Sequence, residues 1–244
     1  MINDLDINFL TNVNEINANS WQNLNSSTCP FLQYDFFSAL EKSQSVSKQQ
    51  GWEPHHLVAQ NNNEITAIMP MFLKSHSWGE YVFDWDWAEA FKRYNVDYYP
   101  KLVATIPFTP VSSIKILSSK HPLIDFFYPL IDYCQQENIN SWHILFCDEI
   151  DGDLPPDVYQ RNTVQFHWFN RRYNSFDNFL NTFTSRKRKN TLKERRSIID
   201  QGIKIRSLKS HEISKQELDF FYLTYQLTYL KRGHQPHLSF EFFK

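Results

Sequence analysis

The sequence predicts a mixed α/β protein, an α+β arrangement with a mixed sheet. Stretches with strand-like and helix-like patterns of apolar residues alternate along its 244 residues. Hydrophobic residues make up 41% of the chain and aromatic residues 16%, which is enough apolar material for a buried core. Only five residues are glycine, so loops that cradle phosphate through their backbone are few.

Strands are predicted where short apolar runs end at turn-forming residues. Residues 55–60 and 65–73 flank the turn Asn61-Asn62-Asn63 and together predict a β-hairpin. Pro107 and Pro110 end a further predicted strand at residues 101–106. The remaining strands are expected at residues 142–147, 163–169 and 203–208.

Helices are predicted where apolar residues recur every three or four positions. They are expected at residues 16–24, from an Asp35 cap onward, and at 121–138, 176–183 and 218–229. Gly233 is a suitable cap for the last helix. Because the pattern changes after Asn170, we expect a first domain at residues 1–170 and a second block at 171–244.

A cationic segment stands out against an otherwise acidic chain. Residues 186–196 hold seven bases and one acid, a local charge of +6 that leaves −8 for the rest of the chain. On a helix the bases form one stripe, with Leu192 and Ile199 on the inward side. The predicted anion-binding residues are Arg186, Lys187, Arg188, Lys189, Lys193 and Arg196. The alternatives are a solvated face or ion pairs with the acidic remainder.

A second group of residues combines acids with aromatic rings. His76, Glu80 and Asp84 lie among tryptophans that include Trp85. Indole walls would desolvate the carboxyl groups and raise their pKa values, which suits acid–base chemistry. The alternative is a helix start in which the acids are caps. Nearby, Tyr98, Tyr99 and Lys101 either line a pocket or only precede the strand at residues 101–106.

Several classes of protein lack support in the sequence. The chain has no phosphate-binding loop of the Walker type, no dinucleotide-binding glycine motif and no nucleophile elbow. Its three cysteines are widely spaced and its histidines have no companion ligands, so no metal site is expected. With no signal-like start and no apolar run of membrane-spanning length, we expect a cytoplasmic protein.

Several segments together resemble a bacterial family of FemAB-like proteins, labelled as GNAT-type acyltransferases or as peptidoglycan biosynthesis and recognition proteins. The similar segments are residues 30–41, 51–57, 74–85, 98–102, 107–111, 166–170 and 185–203. The resemblance implies two GNAT-like domains, the second of which is incomplete at residues 171–244, since family members run further. The chain departs from the family pattern at Ser113, where family members commonly have a glycine, and it lacks the GNAT pyrophosphate loop.

The resemblance implies transfer of an acetyl or aminoacyl group to an amine of a cell-wall or related precursor. Acyl-CoA or aminoacyl-tRNA would be the donor substrate, and tRNA would be a partner in the second case; no other cofactor is assigned. Glu80 and Asp84 are the predicted base or amine-positioning groups and His76 orients the substrate, while Tyr98, Tyr99, Lys101 and Trp85 line the pocket. The alternative is a non-catalytic module of the same fold that binds RNA or a nucleotide-linked precursor.

Overall fold

The computed structural model describes residues 5–148, 150 and 152–244, and these form a mixed α/β fold with two sheets. The strands are β1 (Asp6–Leu10), β2 (Trp52–Pro54), β3 (His56–Asn61), β4 (Glu64–Met69), β5 (Met71–Lys74), β6 (Lys101–Ala104) and β7 (Trp142–Ile144). The α-helices are α1 (Ala18–Leu24), α2 (Tyr34–Lys42), α3 (Trp85–Arg93), α4 (Phe127–Gln136), α5 (Phe176–Leu180), α6 (Ser185–Asp200) and α7 (Lys215–Leu230).

One long hairpin contributes strands to both sheets. Its outer half is the predicted hairpin of β3 and β4. Strand β1 pairs antiparallel with the other edge of β3 and completes the first sheet in the order β1-β3-β4. Its inner half pairs β2 with β5, and the second sheet continues with β6 antiparallel and β7 parallel. The predicted single strand at residues 65–73 is therefore wrong, because Pro70 has no N–H for a ladder and marks the change of sheet.

Helices cover both faces of the sheets. Val58, Ile68 and Phe72 pack with Trp21 of α1 and Phe37 of α2 in one buried cluster. The alternate positions along the same strands form the other cluster, in which Leu57, Met69, Met71 and Leu102 meet Leu130 of α4 and its neighbours. This alternation is the period of two that places successive side chains on opposite faces of a strand.

Several predicted boundaries differ from the observed ones. Helix α2 begins at Tyr34 with Gln33 as its N-cap, so Asp35 lies inside the first turn and is not the cap. The predicted helix at residues 121–138 is a 3-10 turn, Leu123–Phe126, followed by the shorter α4. Strand β7 ends at Ile144, and Phe146 two residues on has a left-handed φ of 53°, which a continuing strand does not allow.

Contacts divide the chain into two compact units. The first unit consists of residues 1–159 and 220–244. Both sheets lie in its described residues. In it the carboxy-terminal segment packs against the core, since Leu238 and Phe242 lie against the cluster of Trp21 and Phe37. Ser239 also exchanges hydrogen bonds with Ser43 and Ser45.

The second unit, residues 160–219, is helical where it is regular. The strands predicted at residues 163–169 and 203–208 are absent from it, because no neighbouring strand in this unit offers a hydrogen-bond ladder. Helix α6 is confirmed, but Leu192 and Ile199 are exposed and not inward-facing. Leu180 is the one buried hydrophobic residue of the unit, so the unit has no apolar core against which Leu192 and Ile199 could pack.

Candidate functional site

Two buried lysines face each other where the second sheet ends. Lys74 is the last residue of β5 and Lys101 the first of β6, and the antiparallel register makes them direct partners. Both are at most 1% exposed. Like charges opposite one another in a ladder are destabilising, so each lysine needs its own compensation.

Lys101 is compensated by two carboxylates. Its Nζ donates to Glu80 Oε2 at 2.8 Å and also to Asp84 Oδ2. Its third donor bond goes to Ser77 Oγ at 2.9 Å. All three N–H groups of the ammonium are thereby used, and the ion cluster is buried throughout.

Each carboxylate of this cluster has one oxygen without a partner. Glu80 Oε1 and Asp84 Oδ1 are buried, and no hydrogen-bond donor among the described residues reaches them. A buried acceptor left unpaired costs about 1–3 kcal/mol, and more when it is charged. Both oxygens of the cluster can therefore accept a hydrogen bond from a further donor.

Asp84 occupies the N-cap position of α3 without capping it. Its side chain makes no cap hydrogen bond and instead accepts from Tyr98 OH at 2.7 Å and from Lys101. The alternative interpretation of the acids as helix caps is thus wrong for Asp84. Glu80 lies in the loop before α3, and its contact is with Lys101.

The two carboxyl groups differ in their titration. Burial raises the pKa of Glu80, an effect that the charge and hydrogen bond of Lys101 only partly oppose. Burial acts in the same direction on Asp84, yet the hydrogen bonds from Lys101 and Tyr98 hold its pKa below the usual value. The expectation of raised pKa values therefore holds for Glu80 and is wrong for Asp84. Asp84 is the anion of the pair and Glu80 the group that more readily takes up a proton.

Lys74 is surrounded differently. Its Nζ donates to Gly51 O at 3.1 Å and Trp78 O at 3.3 Å, and lies 3.6 Å from the ring centroid of Trp52. His76 Nδ1 is a third acceptor at 3.5 Å. Burial, despite the carboxylate of Glu80, lowers the pKa of Lys74 to about 6. Burial therefore disfavours the charged form of Lys74 beside Lys101.

Two tyrosines and a histidine also belong to the cluster. Tyr99 OH lies 2.8 Å from Ser77 Oγ, so one of these hydroxyl groups donates a hydrogen bond to the other. Burial, followed by the hydrogen bond to Asp84, raises the pKa of Tyr98. Burial, with the nearby charge of Lys101, lowers the pKa of His143 in β7 to about 4, so this imidazole is neutral.

The structure brings together five of the residues singled out in the sequence: Glu80, Asp84, Tyr98, Tyr99 and Lys101. His76 is adjacent through Lys74, and its Nε2 lies 3.0 Å from Gln50 O. Trp85 is partly exposed, with its ring 5.1 Å from that of Trp78. The indoles do not wall the carboxylates as expected, since tyrosines and lysines do so.

Sequence reasoning missed Lys74, Ser77, Trp52 and His143. A signal was present for Lys74, because a lysine at the end of a run of apolar strand residues is unusual when both faces of the sheet are covered. For His143 and Trp52 no local signal exists. They join the cluster only through strand pairing between segments far apart in the chain.

The basic segment forms a surface of its own within the unit of residues 160–219. Arg186, Lys189, Lys193 and Arg196 are exposed along α6, and none of them pairs with an acid of that unit. Arg188 is different, because its guanidinium donates to the carbonyl groups of Leu180, Asn181 and Phe183. Lys187 lies over the ring of Phe183, with Nζ 4.5 Å from its centroid.

Other kinds of site find no support in the residues that the structure describes. No group of three or more potential ligands is arranged to hold a metal ion. None of the described helices combines the length and apolar character that a bilayer span requires.

The fold and the ion cluster define a mixed α/β protein with a buried lysine–carboxylate site at the end of a sheet, which is consistent with a GNAT-like fold. Comparison with known families is more specific. A family model described as peptidoglycan biosynthesis/recognition matches residues 12–244, and the chain belongs to this FemAB-like family. No curated protein and no solved structure matches the chain.

Proposed function

We propose that the protein is a transferase that moves an acetyl or aminoacyl group onto an amine of a cell-wall or related precursor. The observation that supports this most directly is the pair of buried, unpartnered oxygens, Glu80 Oε1 and Asp84 Oδ1. Membership of a family concerned with peptidoglycan biosynthesis or recognition is compatible with such an acceptor.

An amine is the ligand whose chemistry fits these oxygens. An ammonium group has three donors and no acceptor, so it complements two carboxylate oxygens that lack donors. Lys101 already neutralises part of the negative charge, which keeps the amine from being held as a permanent salt bridge. Asp84 positions the amine, since its pKa is held low and it stays ionised.

Glu80 is the proposed base. An amine must lose a proton before or while it attacks an acyl carbonyl, and a carboxylate with a raised pKa accepts that proton more readily than an ordinary one. Tyr99 is the proposed donor to the oxyanion, because the hydroxyl of Tyr98 is committed to Asp84, whereas Tyr99 can accept from Ser77 Oγ and keep its own proton for the oxyanion. The proposed acyl donor is either acyl-CoA or aminoacyl-tRNA.

The test is a transfer assay with acetyl-CoA and with aminoacyl-tRNA as donors and amine-bearing peptidoglycan precursors as acceptors. We expect Glu80→Gln to lower turnover by about 100-fold or more, the usual range for loss of a general base. Asp84→Asn should chiefly raise KM for the amine. Glu89→Gln is the matched control, since Glu89 is an exposed carboxylate in the neighbouring helix, paired with Arg93. Unchanged turnover in Glu80→Gln contradicts the assigned base.

A second candidate function is binding of an anionic polymer or nucleotide-linked precursor by α6. Its support is the exposed, unpaired stripe of Arg186, Lys189, Lys193 and Arg196. Phosphate binding to such a stripe releases counterions, so the affinity falls steeply with salt concentration.

This second function is tested by titrating a short RNA at several salt concentrations. The triple variant Arg186→Ala, Lys189→Ala, Lys193→Ala should reduce the salt slope by about three. A variant with the same loss of charge elsewhere, Lys92→Ala, Lys120→Ala, Lys231→Ala, is the control, because these three lysines are exposed and unpaired among the described residues. Equal slopes for the two triple variants would exclude α6 as the binding surface.

A further inference from the structure

A second pair of reactive side chains, Ser113 and Lys115, lies in the first unit, on the irregular segment after Pro110. Ser113 pairs with Cys147 in an isolated parallel bridge, in which Ser113 N–H donates to Phe146 O at 3.1 Å. Asp148 N–H in turn donates to Ser113 O at 3.3 Å. Lys115 follows two residues after Ser113, in a bend of the chain, and its side chain returns to the hydroxyl of Ser113.

The two side chains are in close contact. Lys115 Nζ lies 2.6 Å from Ser113 Oγ, and it also reaches Phe146 O at 2.8 Å and Ser113 O at 3.0 Å. Ser113 and Lys115 are 5% and 4% exposed, while the neighbouring Ser112 and Asp148 are open to solvent. The pair therefore lies just beneath the surface.

A purely structural role explains this arrangement poorly. Both carbonyl groups that Lys115 contacts already accept a backbone N–H, so neither needs the lysine. Lys115 has no carboxylate within ion-pair distance among the described residues, unlike Lys101 with its two. With no ion-pair partner among the residues that the structure describes, burial favours the neutral amine of Lys115 over its ammonium form.

We propose that Ser113 and Lys115 form a nucleophile–base pair that accepts an acyl group from an activated ester or thioester. The neutral Lys115 amine takes the proton from Ser113 Oγ as this oxygen bonds to the acyl carbon. The bond from the acyl carbon to the leaving oxygen or sulfur then breaks, and Lys115 returns the proton to that leaving group. Water later cleaves the seryl ester and releases the carboxylic acid. The two carbonyl contacts orient the amine, as a third group does in other nucleophile–base pairs.

The titration of Lys115 supports this assignment. Burial lowers the pKa of Lys115 to about 8, against the opposing effects of Cys147 and Asp148. About a tenth of the amine is then neutral at pH 7, and the fraction rises towards one above pH 8. Acylation of Ser113 should therefore accelerate with pH and level off above about 8.

The experiment is covalent labelling with p-nitrophenyl acetate and with an alkyl fluorophosphonate, located by peptide mass spectrometry. We expect one acyl or phosphonyl group on Ser113 and none in Ser113→Ala. Lys115→Arg keeps a donor to the same acceptors but cannot act as a base, so its labelling rate should fall by on the order of 100-fold. Cys147→Ala is the control for the neighbouring thiol and should label like the wild type.

Three outcomes would overturn the proposal. They are modification of Cys147 or Lys115 in place of Ser113, a rate independent of pH between 6 and 9, and equal labelling of Ser113→Ala. If Lys115→Arg fails to fold, the pH profile of the wild type and the nearly isosteric Ser113→Ala still decide. The proposal is independent of the proposed transferase site, since Glu80→Gln should label Ser113 as the wild type does.

Discussion

Three buried lysines in the first unit carry different chemistry because their partners differ. Lys101 has two carboxylates and forms ion pairs with both. Lys74 has carbonyl groups and the face of Trp52, and burial lowers its pKa to about 6. Lys115 has a serine hydroxyl and two carbonyl groups, with a pKa of about 8. All three amines are buried, so the difference in their chemistry comes from their hydrogen-bond and ion-pair partners.

Removal of Lys101 should strongly destabilise the protein. Lys101→Met leaves the carboxylates of Glu80 and Asp84 buried without their cation, and loss of one partner from a buried pair costs about 3–5 kcal/mol. Urea denaturation at pH 7 measures this loss. The deficit should shrink as the pH falls toward 5, because both carboxyl groups, now with raised pKa values, can protonate in the folded state.

A compensating variant separates charge from packing. Lys101→Met combined with Glu80→Gln and Asp84→Asn should recover most of the lost free energy of unfolding, since no buried charge remains. If the triple variant is as unstable as Lys101→Met alone, the loss comes from packing around the lysine stem.

Because the pKa of Lys74 is lowered, we expect the stability of the protein to rise with pH. Its pKa is lowered from 10.5 to about 6 in the folded state, so between these values the unfolded chain binds more protons. The free energy of unfolding of the wild type, relative to Lys74→Met, should therefore rise by about 1.4 kcal/mol per pH unit. Denaturation of both proteins between pH 6.5 and 8.5 checks this slope. A flat difference would mean that Lys74 stays protonated in its ring of acceptors.

How far the sequence predicts the site depends on how each residue enters it. Glu80, Asp84, Tyr98 and Lys101 could be grouped because they lie within one stretch of polar and aromatic residues. Lys74 could not be added, because its partner across the ladder is fixed by the register of β5 and β6. The opposite pKa shifts of the two carboxyl groups also depend on which of them Tyr98 contacts.

At the scale of elements, the hairpin and most helices were predictable, whereas helix α3 was not predicted and the ends of strands were placed wrongly. Asn61-Asn62-Asn63 gives a local turn signal between β3 and β4, and the apolar period gives α4 and α7. Strands at residues 163–169 and 203–208 were predicted from apolar runs alone. A strand also needs a partner, and the unit of residues 160–219 has none to offer.

Within α6 the bases are not equivalent. Arg188 holds the end of α5 through three carbonyl contacts, whereas Arg186 is exposed without a partner among the described residues. Arg188→Ala should destabilise the α5–α6 turn by about 1–2 kcal/mol, and Arg186→Ala by close to zero. Amide hydrogen exchange over residues 176–190 of the full chain compares the two. Equal protection in both variants would contradict this role of Arg188.

At the scale of the whole molecule, the two units differ in how much core they possess. The first has two apolar clusters and takes residues 220–244 into its packing. The second has one buried hydrophobic residue, Leu180, and exposes Ile205, Phe166 and Trp168. We therefore expect the second unit to open at a lower denaturant concentration than the first, since it buries too little apolar surface for independent stability.

The carboxy-terminal segment should contribute measurably to the stability of the first unit. Phe242 packs edge-on against Phe36 at 5.8 Å and against the core cluster, so Phe242→Ala should cost about 1–3 kcal/mol. Thermal unfolding monitored by tryptophan fluorescence would show it as a lower midpoint. The exposed neighbour Glu241→Ala is the matched control and should leave the midpoint unchanged. A midpoint shift shared by both variants would contradict a specific core contact.

The pairing of Lys74 with Lys101 also limits how the length of this chain can vary in nature. All of residues 75–100 lie between the two strands, so residues added there leave the two lysines facing each other. One residue inserted within β5 or β6 would turn a lysine to the opposite face of the sheet. We expect insertions among natural relatives to gather in the exposed turn at Tyr94, Asn95 and Val96, and the two strands to keep a fixed length.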